Sequence, residues 1–170
     1  VLFFFFFAKV KENAIIPTKE VANMGYDVYA CFDEEYMVIK PHETKMIPTG
    51  VASAVSEDYA IVLKERSSTG SKGIAQRCGV IDSNYRGEWF VPITNTTNKI
   101  MFISKLNQQE TLKKYDGSIQ EDVLVYPYTK AITQAVILPV PRMNVNELSY
   151  EQLCEYKTDR GTGALGSTGK

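Results

Sequence analysis

One carboxylate in the chain stands where it could act as a base. The stretch 79-GVIDSNYRGEW-89 begins as an apolar run that is typical of a strand, and Asp82 ends that run before a turn-like Ser-Asn-Tyr. An acid in this position is either a cap for the turn or a working group held on a rigid element. The local pattern alone favours the turn cap.

A second stretch has the residue types that bind phosphate. The segment 160-RGTGALGSTG-169 combines an arginine, three hydroxyl side chains and four glycines. Backbone N–H groups without side chains nearby can approach a phosphate closely. The segment lacks a Gly-Lys-Ser/Thr ending and follows no strand, so its composition alone is typical of a flexible tail.

Composition narrows the setting in which such groups would work. With 170 residues the chain suits a single core-bearing domain. A net charge of −1 gives no general attraction to nucleic acid or to acidic lipid, so a polyanion must be held by a local site. Three widely spaced cysteines and one histidine argue against structural zinc and for a reducing, cytoplasmic compartment.

The elements that would position these groups are short strands. Runs rich in β-branched and aromatic residues recur between turn signals, and they predict an all-β barrel or sandwich. The eight-residue apolar run at the start is too short to cross a membrane and predicts a first strand, buried in a sheet or at an oligomer interface. The predicted strands lie in residues 1–10, 26–32, 45–55, 59–65, 88–94, 100–104, 123–128 and 131–140. Prolines at 48, 92, 127 and 139 predict edge strands or bulges.

Two short helices are expected among the strands. Residues 66–73 could form one or two turns with Ser67 or Ser68 as the N-cap, and 149-SYEQLCEY-156 has capping-box spacing. The polar segment 105–122 is interpreted as a surface loop or hairpin with a turn at Asp116-Gly117.

Five stretches in order resemble the five motifs of the trimeric deoxyuridine triphosphate nucleotidohydrolases, the dUTPases, across residues 9–170. The stretches are 25-GYDVYA-30, 66-RSSTGSKGI-74, 79-GVIDSNYRGEW-89, 132-ITQAV-136 and 160-RGTGALGSTG-169. The resemblance implies a distorted β-barrel or jelly-roll-like domain over residues 1–157, with a flexible C-terminal arm, residues 158–170, closing over an active site. It further implies a homotrimer with sites shared between subunits, and conversion of dUTP to dUMP and pyrophosphate with Mg²⁺.

The resemblance also assigns roles to single residues. It makes Asp82 the general base, Tyr85 the residue that packs on the deoxyribose, and Asp27 the acid that orients Mg²⁺-bound waters. The backbone around Gly79, Val80 and Ile81 would read the uracil edge. Phosphate contacts would come from Arg66, Ser67, Ser68, Gln134, Arg160, Ser167 and Thr168.

Three positions depart from the family pattern. Ser68 stands where many members have glycine. The second motif is also one residue shorter than usual, so Lys72 has no secure match in the family pattern. Leu165 replaces the phenylalanine that stacks on uracil, which predicts a weaker lid. Ala131 replaces the arginine of the fourth motif, so contacts made by that arginine are missing.

Two alternative functions share part of this pattern. A dCTP deaminase shares this fold but uses a glutamate ten residues after the third-motif aspartate, where this chain has Pro92. The other alternative is a binding or regulatory protein on the same fold, with the 105–122 segment as its partner surface. The residues to which the resemblance assigns site roles are present, so dUTP hydrolysis is the preferred function. This reaction would limit uracil in DNA and supply dUMP for dTMP synthesis.

Overall fold

The structure is a computed structural model that describes residues 4–116 and 122–163. In these ranges the chain forms short strands and three helices. The strands are β1 Phe5–Lys9, β2 Tyr26–Val28, β3 Tyr36–Ile39, β4 Thr44–Pro48, β5 Val51–Val55, β6 Tyr59–Lys64, β7 Ile74–Gln76, β8 Val80–Ile81, β9 Phe90–Asn95, β10 Ile100–Ser104, β11 Val123–Pro127 and β12 Thr133–Pro139. The helices are α1 Ser67–Gly70, α2 Gln108–Tyr115 and α3 Tyr150–Cys154. The predicted all-β class is therefore confirmed.

The strands form four small sheets. Their orders are β1-β5, β11-β10-β3, β2-β12-β6-β8 and β4-β9-β7. Within the described ranges these sheets do not join into a closed ring, and the arrangement agrees with the expected jelly-roll-like fold. The four-stranded sheet matters most for function, because it carries residues from four of the five motifs or from the segments directly beside them.

The core lies between these sheets and is apolar. Trp89 is the largest fully buried side chain of this core, which includes aliphatic residues of β3, β4, β6 and β9. The buried Phe102 packs instead against the rings of Tyr36 and Tyr115. Trp89 belongs to the third motif, so that motif is anchored in the core at one end. The Trp89 and Phe7 rings meet edge to face with 5.4 Å between centroids.

The first strand is only half covered. β1 pairs antiparallel with β5, and Phe5 and Phe7 pack against the core. Phe6 on the opposite face is 62% exposed. The prediction of a strand is confirmed, but burial within the chain is wrong for this face, because the described residues leave most of Phe6 uncovered. The alternative, burial at an oligomer interface, stays a prediction.

The helical predictions had mixed outcomes. The Ser149 hydroxyl accepts from the Gln152 N–H, so the predicted capping box of α3 is confirmed. The N-cap of α1 is Arg66 and neither serine, because the buried Thr69 hydroxyl accepts the Arg66 N–H and donates to the Arg66 carbonyl.

The loop or hairpin predicted over residues 105–122 is wrong. Its first half is α2, capped by Asn107, whose side chain accepts from the Glu110 N–H. The strands on either side, β10 and β11, pair in parallel, and a hairpin cannot connect parallel strands. The predicted turn partner Gly117 lies outside the described residues.

Pro48 and Pro127 lie in edge strands, β4 and β11, as predicted, whereas β12 with Pro139 and β9 with Pro92 are inner strands of their sheets. Pro48, Pro127 and Pro139 are the last residues of their strands. Pro92 lies inside β9, the middle strand of its sheet. Its carbonyl accepts from the Arg77 N–H just beyond the end of β7, so the missing N–H falls where the ladder with β7 stops.

The chain divides into two compact units, Val1–Val140 and Pro141–Lys170. The second unit contains α3, and its described part exposes several large apolar side chains, namely Met143, Val145, Tyr150, Leu153 and Tyr156. None of the three helices has the length and apolar character that a membrane span requires, within the ranges that the structure describes. The predicted boundary at residue 157 stays a prediction.

Candidate active site

Residues of three motifs meet on the four-stranded sheet. Gln134 of β12 pairs with Asp27 of β2 on one side and with Lys64 of β6 on the other. Arg66 follows two residues after Lys64. The antiparallel register therefore brings Asp27, Arg66 and Gln134, here called the phosphate cluster, to one end of the sheet.

Arg66 is held in a fork by Asp27. Its Nε lies 3.0 Å from Asp27 Oδ1, and its Nη2 lies 3.3 Å from Oδ2. The remaining Nη1 donates to the Ala131 carbonyl at 3.2 Å. With exposed fractions of 28% and 37%, the two side chains are partly shielded, and such a two-pronged pair fixes the plane of the guanidinium.

Gln134 closes the cluster from the side of β12. Its Nε2 donates to the Glu65 carbonyl at 2.8 Å, which ties β12 to the residue before Arg66. Gly25 lies beneath this side chain, and a Cβ at that position would come within 2.5 Å of Gln134 Oε1. Gly25 of the first motif is thus required for Gln134 of the fourth motif to pack against the backbone at this position.

The second motif continues from Arg66 into the single turn of α1. Ser67 is exposed, and the Ser68 hydroxyl lies 3.5 Å from Arg66 Nη1. Lys72 Nζ donates to the Ser68 carbonyl at 3.1 Å. The predicted phosphate contacts of this motif therefore lie beside Arg66.

Asp82 lies in a different place, at the mouth of a pocket of about 260 Å³. The pocket is lined by Met46, Val80, Ile81, Asp82, Tyr85, Glu88 and Phe90. Asp82 is exposed, and among the described residues no hydrogen bond or ion pair engages its carboxylate. The turn is closed by the Asp82 carbonyl, which accepts from the Tyr85 N–H at 3.1 Å. The carboxylate is thus not the turn cap that the local pattern favoured.

Tyr85 forms one wall of this pocket. Its hydroxyl donates to the Glu88 carbonyl at 3.0 Å, and its ring is folded over Gly87. A Cβ on Gly87 would overlap the phenol of Tyr85, so only glycine lets the ring lie there. Gly87 of the third motif thus leaves the space that the Tyr85 ring of the same motif occupies.

The turn that connects β7 to β8 precedes Asp82, and the two strands belong to different sheets. Gly79 has φ 137°, and a Cβ there would come within 2.7 Å of the Leu63 carbonyl. Its own carbonyl accepts from the Leu63 N–H at 2.7 Å, which holds the turn against β6. Val80 is 68% exposed while Ile81 is buried, as alternation along a strand requires.

The Asp82 pocket and the phosphate cluster lie at opposite ends of β6. Ile81 pairs with Ile61, so Asp82 stands opposite Ala60, whereas Gln134 pairs with Lys64 and Arg66 follows. At about 3.3 Å per residue, the six residues from Ala60 to Arg66 span about 20 Å. One chain therefore presents two separate halves of a site.

The fifth motif is only partly described. Arg160 is exposed in the second unit, and its Nε donates to the Gly163 carbonyl at 2.8 Å. Leu165, Ser167 and Thr168 lie outside the described residues.

Two carboxylates near the site carried no signal in the sequence. Glu88 lines the Asp82 pocket, and its Oε1 accepts from the Gly50 N–H at 2.8 Å. Glu65 accepts from the Gln76 N–H at 2.8 Å and lies directly before Arg66. Both carboxylates accept hydrogen bonds from backbone N–H groups of residues that are distant in sequence, so only the fold reveals these contacts.

The donor groups present suit one kind of metal binding. No cluster of three or more histidine, cysteine or acidic side chains that could hold a metal occurs in the described parts of the chain. Mg²⁺ keeps several waters and is usually bound by one or two carboxylates together with substrate phosphates. Asp27, with lone pairs left beyond its two contacts to Arg66, fits that arrangement.

Solved structures of similar fold are dUTPases. A Staphylococcus bacteriophage 80alpha dUTPase with dUpNHpp superposes with a TM-score of 0.73, covering 98% of this chain and 99% of that one at 22% identity. A dUTPase from phage phi11 of S. aureus gives 0.67, with 86% and 96% covered at 22% identity. Another phi11 structure, of a mutant dUTPase, is described with a structural Mg(II) ion.

Sequence comparison gives the family. The dUTPase family profile matches residues 11–108. A deoxyuridine 5'-triphosphate nucleotidohydrolase from Nautilia profundicola is 33% identical over 168 residues, 95% of this chain and 96% of that protein. One from Paraburkholderia phytofirmans is 32% identical over 151 residues, with 86% and 82% covered. The chain belongs to the dUTPase family.

Proposed function

We propose that the chain hydrolyses dUTP to dUMP and pyrophosphate. The observation that carries this proposal is the unengaged Asp82 carboxylate in a pocket whose wall is Tyr85, in a chain of the dUTPase family. A general base must be free to accept a proton, and a carboxylate already engaged by N–H groups would be poorly suited.

In this reaction Asp82 takes a proton from a water that attacks the α-phosphorus. The bond between the α-phosphorus and the bridging oxygen breaks, and pyrophosphate leaves with the electron pair. Arg66 and Gln134, together with Ser67, Ser68 and Arg160, bind the phosphate oxygens. Positive charge and N–H donors there stabilise the charge that builds up during transfer.

Mg²⁺ bound to the triphosphate would neutralise the leaving pyrophosphate. Asp27 is the residue that would hold it, through metal-bound waters. The two contacts of Asp27 to Arg66 support this role, since they hold the carboxylate in one orientation.

Selection of the deoxyuridine part would rest on the third motif. Main-chain groups of Gly79, Val80 and Ile81 would read the uracil edge, where cytosine presents a donor in place of an acceptor. Tyr85, seated over Gly87, would leave no room for a 2′-hydroxyl. An unpaired buried polar group costs about 1–3 kcal/mol, so a rigid backbone can discriminate without a dedicated side chain.

Active sites would be completed between chains of a homotrimer. The separation of about 20 Å along β6 supports this arrangement, because one half-site carries the base and the other carries the phosphate contacts. The arm, residues 158–170, would close over a site with Leu165, Ser167 and Thr168.

A complementation experiment tests the shared site. Asp82→Asn and Arg66→Ala chains are each expected to be inactive, and the two are refolded together in equal amounts. If sites are shared, the mixture should recover about a quarter of wild-type activity. Each half of a site comes from a chain in which it is intact about half of the time, so both halves are intact in about one site in four. Sites built within one chain recover nothing, since each chain lacks one group.

A deaminase is disfavoured by one local feature. Pro92 stands where that reaction needs an acid, and it is buried in β9 opposite Met46. Pyrophosphate release from dUTP, set against ammonia release from dCTP, separates the two reactions in one assay. Ammonia release without pyrophosphate would overturn the proposal.

A further inference from the structure

The turn that connects β7 to β8 has an unusual backbone. Cys78 has φ 56° and Gly79 has φ 137°, so two successive residues lie in the left-handed region. Cysteine rarely adopts this conformation, which is strained for a residue with a Cβ. Surrounding contacts must therefore hold the turn, since β8 contributes only two residues to the sheet.

Gln76, the last residue of β7, makes those contacts with its side chain. Its Nε2 donates to the Leu63 carbonyl at 2.9 Å and to the Cys78 carbonyl at 3.4 Å. Its Oε1 accepts from the Thr133 hydroxyl. One half-buried amide thus joins the turn to β6 and to β12.

The Gln76 amide nitrogen is engaged by the chain itself. An amide nitrogen has two hydrogens, and Nε2 lies within hydrogen-bond distance of both the Leu63 and the Cys78 carbonyls. Direct contact of this side chain with a base would require one of those bonds to break. Its geometry is that of a group that shapes the turn.

We propose that Gln76 is a positioning residue for base selection, holding the Cys78-Gly79 backbone in the conformation that reads uracil. This inference rests on the proposed function. It goes beyond it by assigning the discrimination between dUTP and dCTP to a side chain that does not touch the nucleotide. Thr133, next to Gln134 in β12, supports Gln76 from behind.

Three variants test the assignment. Gln76→Leu removes all side-chain bonds, and Gln76→Glu keeps the acceptor but loses both donors. Thr133→Val removes the bond to Oε1 together with the bond of the same hydroxyl to the Lys64 carbonyl. The ratio of kcat/KM for dUTP to that for dCTP should fall about 10-fold for the two Gln76 variants, mainly through a higher KM for dUTP. Thr133→Val should fall less.

Thr111→Val is the matched control. It also deletes a buried threonine hydroxyl that donates to a carbonyl, here that of Asn107 at 2.7 Å, but it lies in α2. It should lower Tm as Thr133→Val does and leave the ratio unchanged. If Gln76→Leu does not fold, Gln76→Glu and Thr133→Val decide.

Two failures are distinguishable. Folded Gln76 variants that keep the wild-type ratio and KM overturn the positioning role. Equal falls in the ratio for Thr111→Val and Thr133→Val also overturn it, because the effect would then follow general loss of stability. A wild-type chain that releases no pyrophosphate from dUTP overturns the proposed function instead.

Discussion

The two ends of β6 differ in how their functional groups are prepared. At one end Arg66 is already gripped by Asp27 and Ala131, and Gln134 is already bonded to Glu65. At the other end the Asp82 carboxylate has no partner within the described ranges, and the pocket around it is rimmed by the exposed side chains of Met46, Val80 and Phe90.

This difference follows from what each end would have to do. A group that binds a permanent charge gains from being fixed beforehand, because no freedom is then lost on binding. A base must instead have its lone pairs free, and an apolar rim strengthens its electrostatic action once water is expelled. The contrast predicts unequal sensitivities to substitution.

The largest effect is expected at the free carboxylate. Asp82→Asn keeps the shape of the side chain but removes the base, so turnover should fall about 10²-fold or more with little change in nucleotide binding. Pyrophosphate release and binding of a nonhydrolysable dUTP analogue measure the two quantities.

The control for Asp82→Asn is Glu88→Gln, the same change at the other carboxylate of the pocket. Because Glu88 already accepts from the Gly50 N–H, the variant should keep most of its turnover and lose some stability. Near wild-type turnover for Asp82→Asn would contradict the assignment of Asp82 as the general base.

The fixed end should respond next. Asp27→Asn frees Arg66 and weakens the orientation of Mg²⁺-bound waters, so kcat/KM should fall about 10- to 100-fold, with a higher Mg²⁺ requirement. Stability should drop by only about 0.5–1 kcal/mol, since the pair is partly exposed.

Glu35→Gln provides the comparison for Asp27→Asn. It breaks the ion pair of Glu35 with Lys114, two residues that belong to none of the five motifs, and should leave kcat/KM intact. If both variants lose activity alike, the fixed end has no special role.

A smaller effect is expected at Gly87, the glycine over which the Tyr85 ring lies. Gly87→Ala forces the Tyr85 ring away, and the preference for dUTP over UTP should fall about 10-fold, because the wall that excludes a 2′-hydroxyl moves. Tyr85→Phe keeps the ring and loses only the bond to the Glu88 carbonyl, so it should keep most of the preference. A preference unchanged in Gly87→Ala would show that the wall lies elsewhere.

The smallest effect is expected in the arm. Leu165→Phe should add ring stacking on uracil and lower KM for dUTP by about fivefold or more. Leu165→Met, which changes shape without adding a ring, should leave KM as it is. An equal KM in all three proteins would contradict a stacking role for this position.

The sequence predicted most strands, because runs rich in β-branched and aromatic residues between turn signals are typical of strands. It missed β3 and β7, which are only four and three residues long. It also missed α2, since a polar segment with no apolar stripe gives little periodicity. The capping pair Asn107 and Glu110 was the available signal.

The motifs named candidate site residues, whose roles stay predictions, but they did not show how these residues are grouped in space. Motif order gives no distance between Asp82 and Arg66, which depends on the register of β8 and β12 against β6. Likewise, the Arg66 side chain donates to the Ala131 carbonyl and the Gln76 side chain to the Leu63 carbonyl, and both contacts join segments that are distant in sequence. Such contacts follow from topology and leave no local pattern.

The distance between the two halves of the site has a consequence for enzyme assays at low concentration. If each working site takes its base from one chain and its phosphate contacts from another, specific activity will fall on dilution even while every chain stays folded. Activity then reports the fraction of chains in the assembly. A plot of specific activity against protein concentration would thus yield the dissociation constant of the oligomer.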